Sequence, residues 1–202
     1  RDVAYQADGS QRLDLSQFSK TASADIRLSA SRAVVNDAIF MQADSTEKEA
    51  TAYVRVDVVS GFLSEVSWTT PASWRVTGVH EADSQRPLLF QMADEGVNGA
   101  PSRITAYLRA PLTSLPPDNS QVLVINLQST GSVFPRQWVA PRLQNPDYNR
   151  GPELQSIETQ EADIPTISPE AAFLTADDVR NLLPWLPEQV LESVVNAQRT
   201  PS

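Results

Sequence analysis

Between Thr51 and Val58 apolar and polar residues alternate without a break. Ala52, Val54, Val56 and Val58 fall on one side; Thr51, Tyr53, Arg55 and Asp57 fall on the other. A period of two over this length predicts a β-strand with one dry face and one wet face. Arg103 to Arg109 repeats the pattern, with Ile104, Ala106 and Leu108 on the dry side. Asp25 to Ser29 gives a shorter copy around Ile26 and Leu28. Four less regular runs also read as strands: Ala38–Ala43, Leu63–Thr70, Ser73–His80 and Leu88–Met92. Val122–Leu127 is almost wholly apolar, which predicts a strand buried on both faces.

Turn-forming residues separate these runs: Ser60-Gly61, Thr70-Pro71, the stretch from Gly96 to Pro101, and Pro116 to Asn119. Strands at intervals of about 8–12 residues, with no helical period between them, predict an antiparallel β-sandwich or jelly roll.

The pattern changes near Gly131. Prolines recur at 135, 141, 146, 152, 165 and 169. Each removes a backbone donor and fixes φ, so this stretch is expected to run extended and not to enter a central sheet. The expected division is a β-sandwich body over 1–133 and an extended arm over 134–202 that ends in short α-helices.

Thr175-Ala176-Asp177-Asp178 reads as a capping box with carboxylates in the first helical turn. Val179, Leu182, Leu183 and Leu186 then form an apolar stripe, and Pro184 limits the helix to little more than two turns. Pro187 suits the start of a second helix bearing Val190, Leu191, Val194 and Val195. A single earlier turn is expected at Ser168-Pro169-Glu170. Helices this short are marginal alone in water, so their stripes need a partner surface. The candidate interface is therefore Trp138, Leu143, Tyr148, Leu182, Leu183, Trp185, Leu186, Val190, Leu191 and Val194.

Leu108 to Leu127, reading L-R-A-P-L-T-S-L-P-P-D-N-S-Q-V-L-V-I-N-L, resembles the paired late strands and L-P-x-D turn in the first domain of periplasmic pilus chaperones. The resemblance covers about a tenth of the chain. It implies a second immunoglobulin-like domain downstream, where this chain has an arm with helices instead.

Composition narrows the chemistry. The chain of 202 residues carries a formal net charge of −9, and its basic residues are nearly all arginine. That balance disfavours nucleic acid, whose binders neutralise phosphates with Lys and Arg. It has no cysteine, hence no disulfide, thiolate nucleophile or cysteine zinc site. No segment is long and apolar enough to span a membrane. The first residue is Arg1 and not Met, which implies a processed product or a piece of a longer chain.

Candidate catalytic groups are few. His80 is the single histidine, near Glu81 and Asp83, and no serine elbow accompanies it. Asp94–Glu95 and Asp177–Asp178 are adjacent in sequence, unlike an acid pair facing one cleft. Asp94-Glu95-Gly96-Val97-Asn98-Gly99 lacks the spacing of a calcium loop. Trp68 and Trp74 flank a turn, where an exposed ring would stack on a sugar; strand tryptophans more often pack a core.

These observations predict a non-enzymatic structural subunit of a larger assembly, such as a capsid, decorating or protruding protein of a virus or phage particle. Its C-terminal arm would anchor neighbouring subunits. The expected partners are other protein subunits, homo- or hetero-oligomeric, with no nucleic acid, no cofactor and no metal, in a virion or extracellular setting. The alternative is a monomeric secreted or periplasmic β-sandwich module that binds carbohydrate or peptide.

Overall fold

A computed structural model describes residues 4–5, 11–12, 31–43, 48–94, 101–130, 141–145, 147–159 and 175–192. The chain is an all-β sandwich. Its strands are β1 (Ala4–Tyr5), β2 (Gln11–Arg12), β3 (Arg32–Ala43), β4 (Lys48–Ser60), β5 (Phe62–Thr70), β6 (Trp74–Glu81), β7 (Phe90–Asp94), β8 (Ser102–Thr113), β9 (Ser120–Ser129) and β10 (Asn149–Thr159). A five-stranded sheet in the order β10-β3-β4-β9-β6 packs on a three-stranded sheet in the order β5-β8-β7. β1 and β2 pair with each other. The strand expected at 25–29 and the turn expected at 168–170 lie outside the described residues.

The alternation in β4 does what its sequence implies. Ala50, Ala52, Val54, Val56 and Val58 enter the main core, and the residues between them are half-buried on the opposite face. Facing them across the sandwich are Val66 and Trp68 from β5 and Ile104 and Ala106 from β8. Leu123, Val124 and Ile125 of β9 are all buried, so this strand is covered on both sides. Each large aliphatic side chain removed from water contributes about 1.5–3 kcal/mol, which makes this interleaved layer the main source of stability.

Three expectations need correction. The sandwich is not wholly antiparallel: β10 runs parallel to β3, with Leu154 opposite Ala38 and Gln155 opposite Ile39. The proline-rich stretch therefore does not stay outside the sheets, because 149–159 forms an edge strand. The edge is the position that tolerates Pro152, since a proline there leaves no ladder partner unmet. The register shifts between Arg150 and Glu153, around that proline. The pairing suggested by the pilus-chaperone resemblance is also absent. β8 belongs to the three-stranded sheet and β9 to the five-stranded one, so their connection crosses between layers.

Gly151 marks how closely β10 approaches β3. A Cβ on Gly151 would lie 1.9 Å from Asn36 Oδ1 and 2.8 Å from its Cγ. Asn36 is held on the other side by Asp57, to whose Oδ2 its Nδ2 donates at 3.4 Å. Gly151→Ala is expected to break that hydrogen bond and lower stability by about 1–3 kcal/mol, the usual range for overpacking. Urea denaturation checks this. An unchanged midpoint would mean that Asn36 swings away freely.

Candidate interaction surface and a buried polar cavity

The C-terminal helices pack on the chain's own sheet. α1 (Ala176–Leu182) opens with the expected capping box. The Asp178 backbone N–H donates to Thr175 Oγ1 at 3.2 Å, and the Thr175 N–H donates to Asp178 Oδ2 at 2.8 Å. The hydrogen bonds from Thr175 hold the Asp178 carboxyl below its usual range. Pro184 follows immediately after the helix. The Pro187 carbonyl accepts from the Val190 and Leu191 N–H groups and starts α2, over 188–192.

Val179, Leu183 and Leu186 are buried together with Ala38 of β3, forming a second apolar cluster separate from the main core. Phe40, Tyr53, Leu154, Trp185 and Leu191 pack around it. Phe40 and Tyr53 meet edge to face, with ring centroids 5.8 Å apart. The sheet side of this cluster is the outward face of β3 and β4 together with Leu154 of the edge strand. A seven-residue helix does not hold its shape alone in water, so this contact is what orders it.

The sequence-predicted interface residues divide accordingly. Leu183, Trp185, Leu186 and Leu191 sit in the second cluster, and Val190 is half-buried. Leu143 is buried in the main core, with Tyr148 half-buried against it. Leu182 is 48 % exposed, on the side of α1 away from the sheet. Trp138 and Val194 lie outside the described residues. Further exposed apolar residues collect at one end of the sandwich, namely Val59 and Phe62 beside the β4–β5 turn and Leu115 in the β8–β9 connection.

Trp68 and Trp74 are buried in the core, so neither offers a ring to a sugar. His80 is half-buried on β6, bridged to Pro87. Most of the acidic loop 94–99 lies outside the described residues. Among the described residues, no helix is long and apolar enough to cross a membrane.

The alternation pattern gave no hint of a site on the dry face of β3. Ala33, Val35, Ile39 and Met41 point into the core there, and so does Asp37, which is 3 % exposed. Its neighbours across the cavity come from three other elements: Trp68 of β5, Asn145 and Tyr148 of the loop before β10, and Arg150 at the start of β10. Arg150 places Nη2 3.9 Å from Asp37 Oδ1 and 2.7 Å from Glu153 Oε2. The same nitrogen donates to the Leu143 carbonyl at 3.3 Å, and Arg142 reaches Glu153 at 3.2 Å. Three buried polar atoms have no hydrogen-bond partner among the described residues: Asp37 Oδ2, Trp68 Nε1 and Asn145 Nδ2. All three residues line one small cavity. Leaving such a group unmet costs about 1–3 kcal/mol.

Burial, reinforced by the negative charge of Glu153, pushes the Asp37 carboxyl up to about 6, against the pull of Arg150 and Arg142. Because the folded value exceeds the unfolded one, Asp37 adds stability below about pH 4. That stability is lost as pH rises through 6. At neutral pH the charged carboxylate is a burden of roughly 3 kcal/mol, taking about 1.4 kcal/mol per pKa unit. Asp37→Asn is expected to raise the melting temperature at pH 7.5 and to leave it nearly unchanged at pH 4. Equal melting temperatures at pH 7.5 would show that Asp37 is not held against its charge.

The chain matches no protein-family model and no curated protein. Among solved structures it is similar to a non-cellulosomal cohesin from the hyperthermophilic archaeon Archaeoglobus fulgidus, with a TM-score of 0.30 and 10 % sequence identity. The match covers 66 % of this chain and 93 % of that one. The two-sheet architecture rests on the strand pairing itself and not on that likeness.

Among the described residues, the second apolar cluster is what seats α1 on the sheet. Leu183→Asp is expected to release the helices locally, because the charge would otherwise be buried without a partner. Hydrogen exchange should show lost protection over 179–191 with β4 and β9 unchanged. Retained protection would mean that the helices are ordered by something other than this cluster.

Proposed function

We propose that this chain is a non-enzymatic protein-interaction subunit of a larger assembly. In this reading the body is 1–133 and the attaching segment is 134–202, with β10 joining the two along β3. The observation that carries it is the match between a sheet face and a segment distant in sequence. Ala38, Phe40, Tyr53 and Leu154 form an apolar seat, and Val179, Leu183 and Leu186 form the edge that fills it. A helix that orders only on docking is a recognition element, and the same seat is present on every copy. Residues 160–174 join seat and helix, long enough for a neighbour's seat to be within reach. Leu182, exposed on the far side of the docked helix, supplies an apolar contact for a second surface.

The most specific form of this proposal is a capsid, decorating or protruding protein of a virus or phage particle. The net charge of −9 supports an outward position, away from a genome. The second reading is a self-contained binding module, extracellular or periplasmic. It is supported by the helices lying on their own sheet, and it favours a peptide over a sugar because Trp68 and Trp74 are buried.

Light scattering over a concentration series separates the two. For the assembling subunit, the mass of the full chain should rise with concentration. Ending the chain at Thr159 should then return it to a monomer, and Leu182→Asp should weaken association without unfolding the body. A full chain that stays monomeric up to millimolar concentration would overturn self-assembly and leave the binding module.

A further inference from the structure

We propose that Asp37, Trp68 and Asn145 together bind one water molecule, and that this water fixes the loop segment 141–145, and through it the start of β10, against the sandwich. The three unpartnered atoms belong to residues of β3, β5 and that loop, and those three residues line the same cavity. Asn145 is oriented for this role. Its Oδ1 accepts the Asp147 N–H at 3.1 Å, which leaves Nδ2 as the free donor. Trp68 is 1 % exposed and Asp37 3 %, so bulk solvent does not serve either group.

The donor set decides the ligand. Two N–H donors repel a cation, and a carboxylate repels an anion. Water accepts from Trp68 Nε1 and Asn145 Nδ2 and donates to Asp37 Oδ2, which satisfies all three groups at once. The cavity leaves about 10 Å³ for the centre of a water molecule, close to the minimum one buried water needs. Arg150 also lines the cavity and pairs with Glu153, to which Arg142 is also paired. The Thr69 and Gln144 backbones exchange hydrogen bonds at 2.8 and 3.0 Å, so the loop is tied directly to β5 just beyond the water.

Nuclear magnetic resonance on the full chain tests the site. The Trp68 Nε1–H and Asn145 Nδ2–H signals should both show cross-relaxation to a water that resides for nanoseconds or longer. Bulk-like exchange, or no such water at either donor, overturns the proposal. A near-isosteric variant tests the structural role. Asn145→Asp keeps the acceptor for the Asp147 N–H and replaces the donor by a second carboxylate oxygen. Amide exchange over 143–149 should then accelerate at least about tenfold, with β4 protection unchanged. Equal exchange in the two chains would overturn the claim that the water fixes the loop.

Discussion

The C-terminal third of this protein depends on one pairing, β10 laid parallel along β3. Parallel strands cannot be joined by a tight turn, so the chain must travel before it returns. It leaves β9, passes Gln144 beside Thr69, and comes back along the open edge of the five-stranded sheet. That return covers the β3 edge, which would otherwise be an open template for association. It also brings Arg150 and Glu153 to Asp37 and sets Leu154 beside Ala38, where α1 docks.

An edge strand containing glycine and proline is weakly specified by its own sequence, and a one-residue slip would invert its faces. Polar contacts supply the missing mark. Glu153 lies opposite Asp37 in the register, and Arg150 lies within reach of both. A slip would separate these charges while Asp37 stayed buried. Gly151 adds a steric mark, because in a slipped register a residue with a Cβ would have to pass Asn36. A charged carboxylate on a core face costs stability at neutral pH, and its position at this junction gives that cost a structural return.

Much of the body is legible in the sequence because one strand face is dry and the other wet. β4 and β8 follow from that contrast, and the two-sided burial of β9 from its absence in Val122–Leu127. The capping box is equally legible, since Thr175 and Asp178 lie three residues apart and cap each other at the helix start. β10 is not. Pro152 argues against a central strand, and nothing local says that an edge is available. Asp37 is hidden for a related reason. The continuous apolar run starts at Ala38, whereas the strand begins at Arg32 and alternates through Val35, Asp37 and Ile39. Only a period extended backwards from that run puts a carboxylate on the dry face. Its partners, spread over β5, the loop and β10, have no linear signature.

The same division of contacts decides how the helices are held relative to the rest. The main core interleaves side chains from both sheets. The second cluster has four fully buried residues and lies outside that layer. Opening it exposes the outer faces of β3 and β4 and Leu154 of β10, and leaves the ladder hydrogen bonds of the sandwich in place. Local opening therefore costs far less than unfolding, as expected for a unit with few buried apolar contacts. A strongly built body carrying a weakly seated terminal segment is the energetic arrangement that the proposed exchange of that segment's own contact for a partner's requires. The tight joint at Asp37 and Gly151 keeps β10 in the sheet independently of how the helices beyond it are seated.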